Sequence, residues 1–307
     1  MKILVTGGAG FIGSNIVDAY VAKGHDVEVV DNLSNGKREN LNPKAVFHHL
    51  DITSPELGQI FERGHYDVVC HHAAQASVSV SVKEPALDAQ VNILGAINLL
   101  ENSVKIGVKK FLFASSGGTV YGATEHLPAV ETLPFDASSP YGVSKVATEL
   151  YLRVYSSVHG LKYTALRYAN VYGPRQDPHG EAGVVAIFSM RMLSGGKPVI
   201  FGDGENMRDY VYVGDVVDAN VRALTAGDND CFNIGSGVRV STNQLFAEMK
   251  ELTGYKGNDE HGPARAGDLR DSCLNASKAK RILGWSPKMS FKDGLRQTVE
   301  WFRNKAK

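Results

Sequence analysis

The chain has 307 residues, and its 33 lysines and arginines are balanced by 33 aspartates and glutamates. This balance does not favour nucleic acid or an anionic membrane surface as a partner. An anionic ligand would have to be bound by local arginines. No run of twenty apolar residues occurs, and a predicted strand at residue 2 leaves no room for a signal peptide. We therefore expect a cytoplasmic protein. Three widely spaced cysteines do not predict a disulfide framework or a zinc site.

The first thirty-one residues have the pattern of a βαβ unit. A strand at residues 1–6 is followed by the loop Gly8-x-Gly10-x-x-Gly13, an amphipathic helix, and a second strand closed by Asp31. In dinucleotide sites such glycines let the backbone approach a pyrophosphate, the helix start holds the anion, and the acid binds ribose hydroxyls. The alternative is a glycine-rich turn with a capping acid, but the complete βαβ context favours a dinucleotide site.

The same unit predicts NAD as the cofactor. Asp31 lies eighteen residues after Gly13, and its carboxylate would repel the 2′-phosphate of NADP. Lys37 and Arg38 would favour NADP only if their loop folded back. The residues predicted to surround the pyrophosphate are Gly7, Gly10, Phe11, Ile12 and Gly13.

Further apolar runs alternate with helical or polar segments, which is typical of parallel strands. They fall at residues 45–50, 66–70, 109–115 and 163–168, and a late run at 231–234 is expected to return to the same sheet. The pattern predicts an α/β fold, a Rossmann-type doubly wound parallel sheet with a second, smaller α/β substrate lobe. The predicted NAD-binding domain comprises residues 1–168 with 211–238, and the predicted lobe comprises residues 169–210 with 239–307.

Small residues follow the fourth strand, at the edge where open α/β sheets bind ligands. The run His71-His72-Ala73-Ala74-Gln75 leaves room for a nicotinamide ribose. Neighbouring strand residues point to opposite faces, so the two histidines do not predict a metal site. Asp51 and Ile52 follow the third strand, and Asp51 either contacts the adenine or caps a helix beginning near Ser54.

The predicted chemical centre is Tyr141 with Lys145. Pro140 suits the first position of a helix, and residues 141 and 145 then share one helical face. A nearby ammonium favours the phenolate, so Tyr141 is expected to accept or return a hydroxyl proton while hydride moves to nicotinamide. Tyr-x-x-x-Lys spacing arises by chance in many helices, but here it follows a dinucleotide loop and the strand end Ser115-Ser116.

The periodicity changes after residue 168, where the second lobe is expected to begin. Helices are predicted near residues 183–193, 214–226, 243–253 and 291–305, with a short strand at 198–202. Arg208 and Arg265 are candidate phosphate ligands in a chain without net charge. Ordinary surface ion pairs are the alternative for either arginine alone.

The chain resembles the extended short-chain dehydrogenase/reductases and, within them, the UDP-glucose (UDP-galactose) 4-epimerases. The similarity spans nearly the whole chain and is carried by Thr6-Gly-Gly-Ala-Gly-Phe-Ile-Gly13, Asp31-Asn32, His72-Ala-Ala74, Ser115-Ser116, Val120-Tyr-Gly122, Tyr141-Gly-x-Ser-Lys145, Arg167-Tyr-x-Asn-Val-Tyr-Gly-Pro174, Arg208-Asp-Tyr210 and Arg265-x-Gly-Asp268. The resemblance implies a tightly held NAD contacted by Asp31, Asn32, Asn35, Asp51, Ile52, Asn92, Tyr141, Lys145 and Tyr168. It implies a UDP-sugar held by Asn170, Gly183, Val184, Phe201, Arg208, Tyr210, Arg265 and Asp268.

Other residues are placed beside these ligands by the same motifs. Those expected next to the cofactor are Gly36, His72, Ala73, Ala74, Gln75 and Ser115. Those expected next to the sugar are Ser116, Gly117, Tyr141 and Ser272. The resemblance also implies a homodimer formed through the helices that carry Asn92 and Tyr141.

One position departs from the epimerase pattern. Counting back from Val120-Tyr121-Gly122, the usual catalytic serine or threonine is replaced by Gly117, and Ser116 lies one residue earlier. Either Ser116 reaches the sugar hydroxyl, or Thr119 or a water takes that role. Ser116 is the favoured catalytic residue beside Tyr141 and Lys145.

The resemblance implies an NAD-dependent 4-epimerase that interconverts UDP-glucose and UDP-galactose through a transient 4-keto sugar. Alternatives on this fold are a 4,6-dehydratase, a UDP-glucuronate 4-epimerase, a decarboxylase and a non-catalytic NAD-sensing protein. Dehydratases and decarboxylases need acidic residues just before the Tyr-Gly of the turn, and residues 117–119 contain none. Tyr141 and Lys145 argue against a non-catalytic role.

The position seven residues after Arg265 predicts the width of the sugar pocket. A tyrosine there is associated with exclusion of N-acetyl groups in similar epimerases, and this chain has Ser272. A small side chain leaves room for an acetamido group, so UDP-GlcNAc and UDP-GalNAc are expected as further substrates. The alternative is that Ser272 is only a loop residue and that Leu274 or Val185 closes the pocket.

Overall fold

The computed structural model describes residues 1–179, 183–264 and 269–305. Its strands are β1 (Lys2–Thr6), β2 (Asp26–Asp31), β3 (Val46–His49), β4 (Val68–His71), β5 (Lys110–Ser116), β6 (Lys162–Tyr168), β7 (Asn170–Tyr172), β8 (Val199–Phe201), β9 (Met207–Tyr212), β10 (Asp230–Ile234), β11 (Arg239–Ser241) and β12 (Glu260–Gly262). Its helices are α1 (Phe11–Ala22), α2 (Leu57–Gly64), α3 (Val78–Lys83), α4 (Pro85–Ala89), α5 (Gly95–Ile106), α6 (Gly117–Val120), α7 (Pro140–His159), α8 (Val184–Leu193), α9 (Val213–Ala223), α10 (Thr242–Thr253), α11 (Ser277–Leu283) and α12 (Phe291–Lys305). A π turn at Gln90–Leu94 joins α4 to α5. Within these described ranges, no helix is long and apolar enough to cross a membrane.

Seven parallel strands form the central sheet in the order β10-β6-β5-β4-β1-β2-β3. Helices cover both faces, so the apolar residues of the inner strands are buried whichever way they point. Helices α1 and α9 pack on one face through residues such as Tyr20 and Val216. Helices α2, α5 and α7 pack on the other through Phe61, Leu99 and Leu152. This arrangement confirms the predicted doubly wound α/β fold.

The reversal of strand order between β1 and β4 positions the site. The chain proceeds from β1 to β2 and β3 on one side of the sheet, and from β4 to β5 and β6 on the other. Loops that leave β1 and β4 therefore diverge and open a crevice at the carboxyl ends of the strands. The glycine loop follows β1, residues 72–75 follow β4, and the Ser116 turn follows β5.

The later elements build a smaller lobe. A three-stranded sheet has the order β11-β9-β7, and β12 pairs with β8. Helices α8, α10 and α12 pack on these strands around a separate apolar core that includes Tyr172, Phe188, Leu245 and Leu295. This lobe lies after β6 in the chain, and most of its strands are shorter than those of the main sheet.

Two elements differ from the sequence-based prediction. Residues 208–210, for which the sequence predicts no strand, lie within β9, and the helix predicted near residues 214–226 is α9, which begins at Val213. Strand β9 pairs with β7 in parallel register, with Asn170 opposite Tyr210, and a local hydrophobic pattern does not reveal such long-range pairing. The sequence also predicts one long helix over residues 85–105, and in the structure the π turn divides this segment into α4 and α5.

Candidate active site

The glycine loop turns sharply between β1 and α1. Gly7 has φ of 70°, and a Cβ there would lie 2.6 Å from the backbone nitrogen of Ala73, so only glycine fits. Gly10 is the N-cap of α1, where no side chain of the described residues caps the helix. The first N–H groups of a helix, here those of Phe11, Ile12 and Gly13, lack intrahelical acceptors. The loop thus fits the pyrophosphate of NAD.

Asp31 is buried beside this loop at the end of β2. Its Oδ2 accepts a hydrogen bond from the backbone nitrogen of Ala9 at 3.0 Å, and its Oδ1 accepts one from that of Leu33 at 2.8 Å. Gly36 lies against the carboxylate, because a Cβ there would be 2.7 Å from Oδ1. The fixed carboxylate retains lone pairs that fit ribose hydroxyls.

The two basic residues that follow Asp31 in the sequence, Lys37 and Arg38, contact side chains elsewhere in the structure. Lys37 lies 3.8 Å from Asp177, and the Arg38 guanidinium lies 5.3 Å from the centre of the Phe47 ring. Both cations thus contact groups other than the Asp31 carboxylate. This geometry supports NAD over NADP.

Asp51 is tied to the loop after β2. Nδ2 of Asn32 donates to its Oδ2 at 2.7 Å, and its Oδ1 accepts from the backbone nitrogen and hydroxyl of Thr53 at 2.8 and 2.7 Å. Helix α2 begins at Leu57, so the alternative that Asp51 caps a helix near Ser54 is wrong. Asn35 is exposed in the same loop, and Ile52 is buried against Gly95.

Residues 72–75 line the other side of the crevice and are braced by the π turn. The backbone nitrogen of Gln75 donates to Oδ1 of Asn92, and Nδ2 of Asn92 donates to the Gln75 carbonyl, both at 2.9 Å. Oδ1 of Asp88 accepts from Nε2 of Gln75 at 2.9 Å and from Nδ2 of Asn92 at 3.0 Å. A π turn places its residues differently from an α-helix, and such turns are frequent at functional sites. Here the turn presents Asn92 to the loop that contains Ala73 and Ala74.

The two histidines after β4 contact opposite faces of the sheet. His71 bonds Oγ1 of Thr6 at 2.8 Å and packs on phenylalanines of β5, whereas His72 bonds the Tyr168 hydroxyl at 3.0 Å and stacks on its ring. Burial lowers the pKa of His72 to about 3, so this ring is neutral. In the described part of the chain, no group of three or more His, Cys, Asp or Glu is placed to hold a metal ion.

Helix α7 carries Tyr141 and Lys145 on one face. Its start is capped by Ser139, whose Oγ accepts from the backbone nitrogen of Gly142 at 3.1 Å. Nζ of Lys145 lies 5.4 Å from the centre of the Tyr141 ring and donates to the Ala114 carbonyl at 2.9 Å. The pair therefore faces the carboxyl end of β5.

Burial dominates the protonation of this pair. Burial raises the pKa of Tyr141 well above its usual value, the Asp88 carboxylate adds to the rise, and the Ser116 side chain offsets part of it. Burial also lowers the pKa of Lys145 to about 8, although the charges of Asp88 and Glu149 raise it. The predicted lowering of the Tyr141 pKa is thus absent from this structure, because removal of the phenol from water is the larger influence.

Ser116 lies at the end of β5, and its side chain lowers the pKa of the Tyr141 phenol. The Thr119 hydroxyl instead points back to the Ser116 carbonyl oxygen at 3.5 Å. The neighbouring Ser115 is turned the other way, and its hydroxyl donates to Oε1 of Glu149 at 2.6 Å. This geometry favours Ser116 over Thr119 for the hydroxyl role, and it commits the Ser115 side chain to α7 rather than to a cofactor.

Strands β7 and β9 bring three predicted sugar ligands together. Asn170 lies directly opposite Tyr210, and Arg208 precedes Tyr210 by two residues. Paired residues and residues two apart share a face of a sheet, so the three side chains lie on the same side. Gly183 and Val184 form the start of α8, and Phe201 is exposed at the end of β8. Arg265 and Asp268 lie outside the described residues.

Ser272 is buried beside the catalytic turn. Its backbone nitrogen donates to the Met207 carbonyl at 3.1 Å, and its carbonyl accepts from the backbone nitrogen of Asp209 at 3.0 Å. Its Oγ lies 3.8 Å from the position of a Cβ on Gly118. The segment that contains Ser272 is therefore paired with β9 and crosses the Ser116 turn. Val185, one alternative closing group, is buried in the core of the lobe.

Sequence reasoning did not assign a role to Asp209 or Asp88. Asp209 is buried, and its carboxylate accepts from the backbone nitrogen and hydroxyl of Ser236 and from the backbone nitrogens of Gly237 and Leu274, at 2.6 to 3.1 Å. The alternation of β9 would have indicated its inward direction, had the strand been recognised. Asp88 has no such local signal, because its burial depends on the packing of α4 against α7.

Comparisons with known proteins agree with this geometry. A family model described as the NAD dependent epimerase/dehydratase family matches residues 3–235. A structure of UDP-glucose 4-epimerase with UDP-glucose from Thermotoga maritima is 55% identical, covers 100% of both chains and has a TM-score of 0.99. A UDP-glucose 4-epimerase from Thermus thermophilus, in complex with NAD, is 47% identical over 99% of each chain, with a TM-score of 0.95.

A third solved structure has a different named substrate. The UDP-N-acetylglucosamine 4-epimerase from Methanobrevibacter ruminantium M1, in complex with UDP-N-acetylmuramic acid, is 36% identical, covers 99% of this chain and 98% of its own, and has a TM-score of 0.94. The match to the family model extends over more than half of the chain and includes the glycine loop, Asp31, Tyr141 and Lys145. This chain therefore belongs to the NAD-dependent epimerase/dehydratase family.

Proposed function

We propose that the protein is an NAD-dependent UDP-glucose 4-epimerase, which interconverts UDP-glucose and UDP-galactose through a transient 4-keto sugar. The observation that carries the proposal is the placement of Tyr141, Lys145 and Ser116 together at the sheet edge that also carries the glycine loop and Asp31. The similarity to two UDP-glucose 4-epimerases over nearly the full chain supports the choice of sugar nucleotide.

The chain's own residues supply proton transfer and orientation. NAD, when bound, accepts a hydride from C4 of the sugar and returns it to the opposite face. Tyr141 takes the proton of the 4-hydroxyl and gives it back, while the Ser116 hydroxyl beside the phenol assists this proton transfer. The Lys145 ammonium favours the phenolate that forms during this transfer, and the buried position of the pair keeps water away from it.

The catalytic turn supports epimerisation over dehydration. Loss of water from the sugar requires additional acid and base groups beside the reacting carbons. Residues 117–119 are Gly, Gly and Thr, so this part of the turn has no carboxylate. A 4,6-dehydratase or decarboxylase would need to draw such groups from elsewhere.

The test is an assay of the purified protein without added NAD. UDP-glucose, UDP-galactose, their N-acetylated counterparts and UDP-glucuronate are each incubated with the protein, and the products are resolved by NMR. The proposal expects UDP-glucose and UDP-galactose to interconvert with no net change in nicotinamide redox state. Accumulation of NADH, loss of water, or turnover of UDP-glucuronate alone would overturn it.

We also propose that the sugar pocket accepts UDP-GlcNAc and UDP-GalNAc. Ser272 is small, buried and close to the catalytic turn, where a larger side chain would compete with an N-acetyl group. Similarity to a UDP-N-acetylglucosamine 4-epimerase supports this range.

A homodimer is proposed through the helices that carry Asn92 and Tyr141. Helix α7 exposes an apolar stripe that includes Val143, Leu150, Val154 and Val158, with Val158 67% exposed. Leu94 in the π turn is 58% exposed, and Val82 on α3 is 62% exposed on a helix that packs against α7. Exposed apolar patches are typical of protein–protein interfaces.

Sedimentation measurements test the dimer. Val154→Asp is expected to convert the protein to monomers, because a buried carboxylate at the centre of the interface would lack a partner. Val238→Asp, at a similarly exposed valine outside these helices, is the matched control. A wild-type monomer, or an unchanged mass for Val154→Asp, would contradict the proposal.

The remaining sequence-based predictions concern organisation and location. The proposed NAD-binding domain comprises residues 1–168 with 211–238, and the proposed sugar lobe comprises 169–210 with 239–307. The pairing of β10 with β6 supports the assignment of residues 211–238 to the NAD-binding domain. The cytoplasmic location stays a prediction that cell fractionation can test.

A further inference from the structure

The catalytic hydroxyl of Ser116 is followed by two residues without side chains. Ser116 is the N-cap of α6, and Gly117 and Gly118 form the first two positions of this four-residue helix. Glycine has more backbone freedom than any other residue and offers no side chain for packing. Strand pairing fixes the backbone of Ser116, but the two residues that follow it contribute no side-chain packing to the turn.

Leu274 fills the space beside Gly117. A Cβ at residue 117 would lie 2.5 Å from Cδ1 of Leu274, 2.8 Å from Cδ2 and 3.2 Å from Cγ. Leu274 is 1% exposed and packs with Val120, Tyr121 and Ala129 in one apolar cluster. A side chain at residue 117 and the leucine at residue 274 therefore exclude each other.

The backbone of Leu274 is held from two directions. Its nitrogen donates to Oδ2 of the buried Asp209 at 3.1 Å. On the other side, the Ala129 nitrogen donates to the Cys273 carbonyl and the Asn275 nitrogen donates to the Ala129 carbonyl, both at 2.8 Å. These bonds fix the backbone at residue 274, and burial in the apolar cluster restricts the isobutyl group, so Leu274 is a fixed support for the glycine turn.

We propose that Leu274 is a positioning residue that takes the place of the side chain missing at Gly117 and holds Ser116 as the hydroxyl partner of Tyr141. Leu274 occupies the space that a side chain at residue 117 would fill, and Ser116 supplies the hydroxyl one residue earlier. This inference rests on the proposed epimerase function.

Substitutions at residues 117 and 274 test this packing. Gly117→Ser alone is expected to lower kcat at least tenfold, because the new side chain collides with Leu274 and displaces the turn. Leu274→Ala alone is expected to lower kcat about tenfold with a change in KM for UDP-glucose of less than threefold, because Ser116 loses its support while the sugar ligands stay in place. The double variant Gly117→Ser, Leu274→Ala is expected to recover most of the lost kcat.

The position of the active hydroxyl provides the deciding measurement. Ser116→Ala is expected to lower kcat about 10²-fold in the wild-type background but less than tenfold in the double variant, where the hydroxyl introduced by Gly117→Ser takes over the role. An equal effect of Ser116→Ala in both backgrounds, with no recovery in the double variant, would overturn the inference. Wild-type protein that fails to interconvert UDP-hexoses would instead overturn the proposed function.

Stability measurements separate this role from general packing. Thermal unfolding of Gly117→Ala is expected to occur at a lower temperature than that of wild type, and this loss is expected to disappear when Leu274→Ala is also present. Leu283→Ala removes another buried leucine, in α11, and should leave the effect of Gly117→Ser on kcat unchanged. If Leu274→Ala does not fold, Leu274→Val with Gly117→Ala makes the same comparison with a smaller loss of volume. If Gly117→Ala lowered the unfolding temperature equally with Leu274 and with Leu274→Ala, this result would contradict the proposed contact.

Discussion

The cofactor side and the sugar side of the site are built in different ways. The residues that fit the pyrophosphate and the first ribose come from the contiguous segment 1–36, and their contacts are set by neighbours along the chain. The predicted sugar ligands come from separate stretches around residues 116, 170, 184, 208 and 272, which only the pairing of β7, β9 and the segment after residue 269 brings together.

This difference indicates which substitutions should alter cofactor binding and which should alter the choice of sugar. A contiguous βαβ unit depends on glycines and one acid, so substitutions there should alter cofactor binding. An assembled pocket depends on loops from several elements, so one loop residue can alter the choice of sugar while the chemistry is kept. Tyr141 and Ser116 lie between the two sides, and their loss should affect turnover more than the binding of either ligand.

The largest expected effect is that of Tyr141→Phe. The variant keeps the ring and loses the proton-transfer group, so kcat should fall by roughly 10³-fold or more, while UDP-sugar affinity stays within about tenfold. Steady-state kinetics and isothermal titration measure the two quantities. Tyr155→Phe on the same helix is the control and should have near-normal activity. A near-normal rate for Tyr141→Phe would show that another group is the base.

Ser116→Ala tests whether the hydroxyl role lies on the strand end. We expect kcat to fall about 10²-fold, because the hydroxyl beside the Tyr141 phenol is lost. Thr119→Val is the matched control, since the Thr119 hydroxyl points to a backbone carbonyl, and it should change kcat less than about threefold. The opposite ranking of the two variants would assign the role to Thr119.

Asp31→Asn tests the cofactor side alone. Loss of a charged acceptor for the ribose hydroxyls should cost about 2 kcal/mol, a roughly 30-fold weaker affinity for NAD, and should reduce discrimination against NADP. Equilibrium binding of NAD and of NADP to protein stripped of nucleotide measures the affinity and the discrimination. Asp26→Asn, at the exposed other end of β2, is the control. Unchanged NAD affinity in Asp31→Asn would mean that this carboxylate only braces the loop.

Ser272→Tyr tests the sugar side alone. The larger side chain should lower kcat/KM for UDP-GlcNAc relative to UDP-glucose by about tenfold, because it competes with the acetamido group for space. Ser277→Tyr, at an exposed serine five residues further on, is the control. If wild type does not act on the N-acetyl sugars, or if the ratio is the same in Ser272→Tyr, then Ser272 does not set the pocket width.

The pH profile gives the smallest expected effect. Because the pKa of Lys145 is about 8, the fraction of charged Lys145 falls as pH rises through that value. If this charge stabilises the phenolate, kcat at pH 8 should be about half its value at pH 7 and should decline further above pH 8. Lys145→Arg keeps its charge over this range and should lack the decline, although its overall rate is lower. A decline of the same shape in Lys145→Arg would assign it to another group.

Local sequence patterns were sufficient for the fold class and for most of the cofactor side. Alternating apolar and helical segments predict a parallel sheet because each βα unit buries its own strand. The glycine spacing, Asp31 and the pair of Tyr141 with Lys145 are likewise set by distances along the chain, through a turn, a strand and one helical face.

Only the tertiary structure decided the protonation and the support of the catalytic residues. The pKa of Tyr141 rises because neighbouring elements bury the phenol, and no spacing of residues in the sequence expresses that burial. Leu274 meets Gly117 from a segment far along the chain, and Asp209 holds Leu274 from a strand 65 residues earlier. Sequence by itself determined which groups follow the strands of a parallel sheet, since the carboxyl ends of parallel strands lie at one edge. Packing between distant segments decided which of those groups touch.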